Sequence, residues 1–500
     1  MNGKVTLVGA GPGDCGLLTL KGKHAIEQAQ AVVYDRLVGE DILKLIPENA
    51  EKINAGKKSA CHLIPQEEIN KILVEKAKEG KRVVRLKGGD CFVFGRGGEE
   101  LEALAANDIE FEVVPGITSA LAVPAYAGIP VTHRDFVSSV HIFTAHARAG
   151  KEIKIDFESC VKMGGTLVFL MGTANLGYIA DGLINAGMRR DMPCAVIENG
   201  SLPKQKKYLG CLCEIKEKAA CAKSPAVIVV GEVCALSDNL DWFGKLPLNG
   251  VTAAVTRPKN RAGALSEKLK LMGAEVLECP CIKAVTLMDE ERTKLLIQEL
   301  KGHDWAVFTS PTGVELFFKA IEECGFDARI LGDTKIAAVG SATAEELKKH
   351  GIRADLSPKK YDGENLGTEL AEKTTDERVL LIRADKCGTG LTDKLINAGV
   401  EYTDFAIYHT EYECAGNITE MINSGKVDFV TFTSASTVRA FMAAHPDADL
   451  SRFTGVCIGE QTAAEAKSMG IKYIVSDKAT VDSMIESMVD FVCGRNKRSK

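Results

Sequence analysis

No run of apolar residues in this 500-residue chain approaches the ~18 that a membrane-crossing helix needs, so no membrane partner is expected. The first strand-like stretch begins at Lys4, which leaves no space ahead of it for a signal peptide. Basic residues are not in excess: 62 Lys and Arg face 68 Asp and Glu, for a formal net charge of −6. A nucleic-acid partner, which favours a strongly basic face, is therefore not expected either. Histidines number only nine, and the sixteen cysteines never form the C-x2-C spacing usual in zinc sites. Only Cys211/Cys213 and Cys279/Cys281 lie close together, as C-x-C pairs. The cysteines read as small buried hydrophobes in a reducing compartment, and no metal is expected. These absences leave a soluble, cytoplasmic enzyme of about three or four domains.

What is present is an alternation of strand-like and helical patterns, the signature of an α/β layered fold. "VTLVGA", "AVVYD", "RVVRLK" and "FEVV" are separated by helical stretches such as "QEEINKILVEKAKEG", and "TLVFLMG", "CAVIENG" and "AVIVVGEV" follow. The stretch "SDNLDWFGKLPLNG", 237–250, is rich in turn formers and breaks the pattern. Two domains are expected, 1–240 and 250–500. The second contains an internal repeat: "WAVFTSPTGVELFF" is echoed by "VDFVTFTSASTVRAFM", which sets Ser310 against Ser434. "VTAAVTR" likewise aligns with "RVLLIRA", and Gly340 with Gly459. A period this long predicts two similar α/β units with a cleft between them.

The chemistry of the first half is concentrated in two glycine-rich loops. "RVVRLKGGDCFVFGRGGEE", 82–100, is a strand ending in two glycine pairs, which let backbone approach a ligand. An acid, Asp90, stands where a phosphate loop would place Lys and a hydroxyl. Near the start, Gly11, Gly13 and Gly16 satisfy G-x-G-x-x-G, with Asp35 ending the next strand, as in a dinucleotide site. Pro12 removes a backbone donor there, and Asp14 puts negative charge where a pyrophosphate would lie. A ligand without phosphates, carrying a ribose, an amine and a positive centre, suits these loops better. A dinucleotide-dependent oxidoreductase is the alternative.

From Val5 to about Val233 the chain resembles the uroporphyrinogen-III C-methyltransferases, within the tetrapyrrole methylases. The resemblance rests on "VGAGPGD", "VVYDRLV", "IPQEEIN", "VVRLKGGDCFVFGRGGEE", "VVPGITSALAVPAYAGIPVTHR", "VFLMG" and "PAVIVVGEV". Cys91 departs from it, since the family usually has Pro there. The resemblance implies a two-lobed α/β fold, S-adenosylmethionine as cofactor, tetrapyrrole substrates and a homodimer formed through this half. Carried over residue by residue, Pro12, Gly88, Gly89, Asp90, Val93, Thr118, Ser119, Met171 and Gly200 are expected to hold the cofactor. Asp35 is expected as proton acceptor and Lys57 as proton donor. Arg36, Lys58, Lys87, Arg96, His133 and Arg134 are the cations expected near the substrate's carboxylates.

The second half offers hydroxyls and little acid–base apparatus. Thr309, Ser310, Ser341, Thr343, Ser434, Ser436 and Thr437 lie in its loops, with Arg257 and Arg383 at strand ends. Such a set suits carboxylate binding, although each Ser and Thr also suits a helix N-cap. Over 251 to about 490 this half resembles uroporphyrinogen-III synthase, through "TRP", "FTSPTGVELF", "VGSATAEEL", "YHTEY", "FTSASTVRAF" and "IGEQTAAEA". That resemblance implies a pair of doubly wound α/β units that close linear hydroxymethylbilane with inversion of the last ring. Arg257, Ser310, Thr343 and Ser434 of that set are expected to contact the substrate, and the resemblance implies a role for Tyr408 in departure of the hydroxyl. The two halves together predict a fusion whose second half makes uroporphyrinogen III and whose first half methylates it twice to precorrin-2. A non-catalytic ligand-binding module is the alternative for 251–500.

Overall fold

The computed structural model describes residues 3–56, 64–145, 154–257, 259–358, 362–374, 376–413 and 418–494. The chain divides into two compact units. One runs through Thr252 and includes Glu267–Val276; the other comprises Ala253–Ser266 and Leu277–Phe491. Among the described residues no helix is long and apolar enough to cross a membrane.

In the first unit, β1 (Lys4–Gly9), β2 (Ala31–Tyr34), β3 (Glu51–Asn54), β4 (Arg82–Lys87) and β5 (Glu110–Val114) form a parallel sheet of order β3-β2-β4-β1-β5. Val5, Leu7, Val33 and Val83 pack on one face, Val8, Val32, Val84 and Leu86 on the other. Burial on both faces explains why these strands read as continuous apolar runs. A second sheet contains β6 (Val140–Thr144), β7 (Thr166–Leu170), β8 (Pro193–Glu198), β9 (Lys206–Cys211) and β10 (Ala226–Val230), in the order β6-β7-β10-β8-β9. It is mixed: β6 and β7 are parallel, while β10 runs antiparallel to both β7 and β8.

Helix Ser119–Tyr126 joins the two sheets and buries Ala120 and Val123 against Val168 and Val229 of the second. Its small residues allow that close approach. The turn-rich stretch after β10 is not a loose tether. The Ser237 hydroxyl donates to the Ala127 carbonyl at 2.6 Å, and the Trp242 indole N–H to the Ala125 carbonyl at 3.0 Å. The rings of Trp242 and Phe243 lie 4.9 and 5.0 Å from that of Tyr126.

The second unit also has two sheets. Their strands are β11 (Thr252–Val255), β12 (Glu275–Glu278), β13 (Ile282–Thr286), β14 (Trp305–Phe308), β15 (Lys335–Ala338), β16 (Val379–Ala384), β17 (Tyr402–Tyr412), β18 (Phe429–Phe432), β19 (Thr454–Cys457) and β20 (Tyr473–Val475). One sheet has the order β12-β11-β18-β19-β20 and the other β13-β17-β16-β14-β15. Phe308, Phe317 and Ile382 pack on one face of the latter, Trp305, Val307 and Leu381 on the opposite face.

The internal repeat is present, but its copies do not fold as consecutive units. Each sheet draws strands from both copies, with β11 beside β18 and β16 beside β14. The sheet holding β13 to β17 is thereby inserted between β12 and β18 of the other. Pairing of parallel strands is non-local, and β11 and β16 carry similar apolar patterns. Neither local pattern specifies which copy becomes the neighbour.

Candidate active sites

Open α/β sheets bind ligands beyond the carboxyl ends of their strands. In the first unit, the loops after β1, β4 and β5 touch one another there. The Gly11 N–H donates to the Gly89 carbonyl at 3.1 Å, and the Gly89 N–H to that of Gly11 at 2.7 Å. A Cβ on Gly9 would lie 2.5 Å from the Gly116 backbone, and one on Gly116 only 2.3 Å from the Gly89 carbonyl oxygen. Glycine is required at both by backbone approach. Gly89 differs. Its φ is +70°, and the nearest neighbour of an added Cβ is the Ser119 nitrogen at 3.9 Å, at the start of helix Ser119–Tyr126. An added Cβ there would make only that one ordinary contact, beside a helix N-terminus whose Thr118 hydroxyl accepts from the Ala120 N–H at 3.3 Å.

Asp90 turns its carboxylate onto its own loops. Oδ1 accepts from the N–H groups of Phe92 and Val93 at 2.8 and 3.1 Å, and Oδ2 from the Gly116 N–H at 3.0 Å. Next to it, burial and Asp90 push the Cys91 thiol up to about 12, which keeps it a neutral core group. Asp14, following Pro12 and Gly13, accepts from the Gly16 N–H at 2.7 Å and from the Tyr126 hydroxyl at 2.7 Å. Its own N–H donates to Ser201 Oγ at 3.3 Å. This carboxylate is fixed inside the loop, where it would repel a pyrophosphate, so the dinucleotide reading has no support in the geometry.

The second sheet contributes Met171 after β7 and Gly200 after β8. The Met171 side chain is 49% exposed with φ +55°, and a Cβ on Gly200 would lie 2.3 Å from Val123. Phe94, Arg96, Asn199 and Ser201 also have positive φ. Such left-handed residues cost of order 1–3 kcal/mol each and gather where function dictates geometry.

A charged network lies beneath the loops. Asp35, immediately after β2, accepts from Arg85 Nη2 at 2.6 Å. Arg85 Nε and Lys87 Nζ both donate to Glu100 Oε1 at 2.9 Å. Arg85 is 2% exposed and Glu100 fully buried, whereas the Asp35 side chain is about one-third exposed (34%). Burial alone would raise the Glu100 carboxyl, but Arg85 and Lys87 outweigh it and hold it below the ordinary value. One Asp35 oxygen is thus anchored while the side chain keeps access to solvent.

In the second unit, the Tyr408 hydroxyl lies 2.9 Å from Ser310 Oγ, which also accepts from the Gly313 N–H at 2.9 Å as N-cap of helix Pro311–Glu323. Ser434 is the corresponding N-cap of helix Ala435–Ala444, with Thr437 completing a capping box. Thr343 is buried in helix Ser341–Lys349, while Ser341 at its start is exposed. Arg257 follows β11. Arg383, its counterpart in the repeat, is buried and forked onto Asp404, Nε to Oδ1 at 2.9 Å and Nη2 to Oδ2.

Two family models match the chain: Tetrapyrrole (Corrin/Porphyrin) Methylases over residues 4–216 and Uroporphyrinogen-III synthase HemD over residues 263–486. The porphyrin biosynthesis protein HemD of Ruminiclostridium josui is 47% identical over 494 residues, 98% of each chain. This chain belongs to that family. The sirohaem synthase of Citrobacter koseri is 52% identical over 241 residues, 48% of this chain and 52% of that one. Among solved structures, the uroporphyrin-III C-methyltransferase of Thermus thermophilus with S-adenosylhomocysteine is 39% identical at a TM-score of 0.42, covering 47% of this chain and all of that one.

Within the tetrapyrrole methylase half, Pro12, Gly88, Gly89, Asp90, Val93, Thr118 and Ser119 lie on or beside the touching loops after β1, β4 and β5, Gly200 packs against Val123 of the helix that Ser119 opens, and Met171 follows β7. Lys57 and Lys58 lie outside the described residues. Arg36, Arg96 and Arg134 are exposed, Arg96 paired with Glu99 at 2.6 Å. Lys87 corrects an expectation, since it is buried and its ammonium serves Glu100 instead of facing a substrate. Arg85 and Glu100 were missed by sequence reasoning, although an arginine inside "RVVRLK" is itself a signal: a buried charge needs a partner. In the synthase half Arg383 is likewise committed to Asp404.

Proposed function

We infer that this is a bifunctional enzyme of tetrapyrrole biosynthesis. The synthase half closes hydroxymethylbilane to uroporphyrinogen III, and the methylase half methylates that product twice to precorrin-2. The observation that carries this reading is the succession of both family halves in one chain, aligned over 98% of its length with a porphyrin biosynthesis protein. The product of one half is the substrate of the other.

The residues of the methylase cleft fit S-adenosylmethionine. The room at Gly89, the helix N-terminus at Thr118 and Ser119, and the exposed Met171 would hold a ligand of that shape with no phosphate to accommodate. When bound, it supplies an electrophilic methyl group. Asp35 takes up the proton that leaves the methylated ring system, with Arg85 holding its carboxylate in place. Lys57 is the partner donor in this reading. Asp90 acts through its loops, keeping those of β4 and β5 in register around the cleft. In the synthase half, Ser310 orients the Tyr408 phenol, which assists loss of the substrate's hydroxyl as water, while Arg257, Ser434 and the first turn of helix Ser341–Lys349, which carries Thr343, engage carboxylates.

The assembly we propose is a homodimer through the methylase half, in the cytoplasm. Buried reduced thiols such as Cys160, Cys194, Cys234 and Cys457 fit a reducing compartment. Light scattering on the full chain tests the first statement; a monomer at micromolar concentration would contradict it. The two activities are tested separately, with hydroxymethylbilane alone and with uroporphyrinogen III plus S-adenosylmethionine. Absence of either conversion removes that half of the proposal.

A further inference from the structure

The sequence spacing of the cysteines argues against a metal, but the fold adds a third donor from far along the chain. Cys279 and Cys281 occupy the short turn between β12 and β13, where the chain passes from one sheet of the synthase half to the other. His445, 166 residues beyond Cys279, brings Nε2 to 3.5 Å from the Cys279 sulfur. The two sulfurs and a ring nitrogen all lie within 4.8 Å of one another. All three residues are 1% exposed, in an apolar cluster with Val438, Phe441 and Phe453.

Two further features resemble a built site. The other ring nitrogen, Nδ1, lies 3.1 Å from the Thr419 hydroxyl, an outer partner that aims Nε2 at the sulfurs. The backbone of the cysteine turn is fixed as well. The Cys279 N–H donates to the Val255 carbonyl at 2.9 Å and that of Cys281 to Thr256 at 3.1 Å. The Glu413 N–H, at the end of β17 where the chain crosses back, donates to the Cys281 carbonyl at 2.8 Å. Both crossings between the sheets therefore meet at this cluster.

We propose that Cys279, Cys281 and His445 bind a zinc ion that pins the two crossings of the synthase half to the end of helix Ala435–Ala444. Two thiolates and an imidazole supply three of zinc's four tetrahedral ligands, and binding releases the thiol protons to solvent, including the one Cys281 donates to the Cys279 carbonyl at 3.2 Å. The site would act structurally. It adjoins Thr256, whose carbonyl accepts from the Cys281 N–H, and it anchors the helix whose other end is capped by Ser434.

Zinc content is measured on the full-length protein, purified without chelator from zinc-replete culture. About one zinc per chain is expected for a single site of this kind. The Cys279→Ser/Cys281→Ser variant is expected to fall to background. A Cys211→Ser/Cys213→Ser variant, which removes the exposed C-x-C pair near Glu214, is expected to keep its zinc. Loss of two core thiols can unfold the synthase half, so cobalt(II) titration of the wild-type protein gives an independent readout. A thiolate-to-cobalt charge-transfer band, displaced by one equivalent of zinc, is expected. Wild-type protein with neither zinc nor that band overturns the assignment. So does zinc that survives removal of Cys279 and Cys281, or that is lost with Cys211 and Cys213.

Discussion

At the scale of single residues, the methylase half sets one partly exposed carboxylate on a buried cation. Asp35→Asn keeps the shape of the side chain and removes the base. Methyl transfer is expected to fall by about a hundredfold or more, with S-adenosylmethionine binding nearly unchanged, by calorimetry beside a methylation assay. Wild-type turnover would reduce Asp35 to a strand-end partner of Arg85. Glu100 carries a pH dependence. Its folded pKa lies below the unfolded value of about 4.3, so its stabilising contribution is complete above that pH and is lost as pH falls through the folded value. Acid unfolding followed against pH should therefore be shallower in Glu100→Gln than in wild type, although the variant is less stable at neutral pH. In the synthase half, Tyr408→Phe keeps the ring and removes the contact to Ser310, at a stability cost of about 1 kcal/mol. Ring closure should slow markedly and the oxidised products should shift toward the type I isomer. An unchanged rate and ratio, by chromatography, would make Tyr408 a packing residue.

At the scale of elements, the three glycines at the strand ends do different work. Gly9 and Gly116 let backbones touch, whereas Gly89 leaves space beside the helix N-terminus. Gly89→Val is expected to abolish S-adenosylmethionine binding, because a branched side chain at φ +70° both fills that space and strains the loop. Hydroxymethylbilane closure in the same variant should be unaffected; normal cofactor binding would mean that the cleft has been misassigned. Glycine-rich loops after apolar strands were legible from "VGAGPGD" and "KGGD", because turn chemistry is local. The Asp14–Tyr126 bond and the Arg85–Glu100 pair were not. Their partners lie 112 and 15 residues apart, and only tertiary packing brings them together. The hydroxyls of Ser310 and Ser434 were readable as helix caps, and caps they are, with Tyr408 the long-range addition.

At the scale of the molecule, two α/β halves and an internal repeat could be read from alternating patterns, while the exchange of strands between the repeat copies could not. The stretch 237–250 was equally misleading in composition: its turn formers are real, yet Ser237, Trp242 and Phe243 pack onto Ala125, Tyr126 and Ala127. A methylase fragment ending at residue 244 is therefore expected to be active alone. One ending at 240 should be less thermally stable, as each lost aromatic pair is worth about 0.5–1.5 kcal/mol beyond its buried area. The complementary fragment from residue 245 should close hydroxymethylbilane by itself. Equal melting temperatures of the two methylase fragments would show the ring contacts to be incidental.

The central claim is that one chain performs two consecutive reactions, and a single incubation tests it most directly. Pure protein is given hydroxymethylbilane and methyl-labelled S-adenosylmethionine under reducing conditions, and the products are identified by mass spectrometry. The account predicts precorrin-2 carrying two labelled methyl groups per macrocycle, and unmethylated uroporphyrinogen III when S-adenosylmethionine is withheld. Unlabelled uroporphyrinogen alone, or label transferred to nothing, would contradict it.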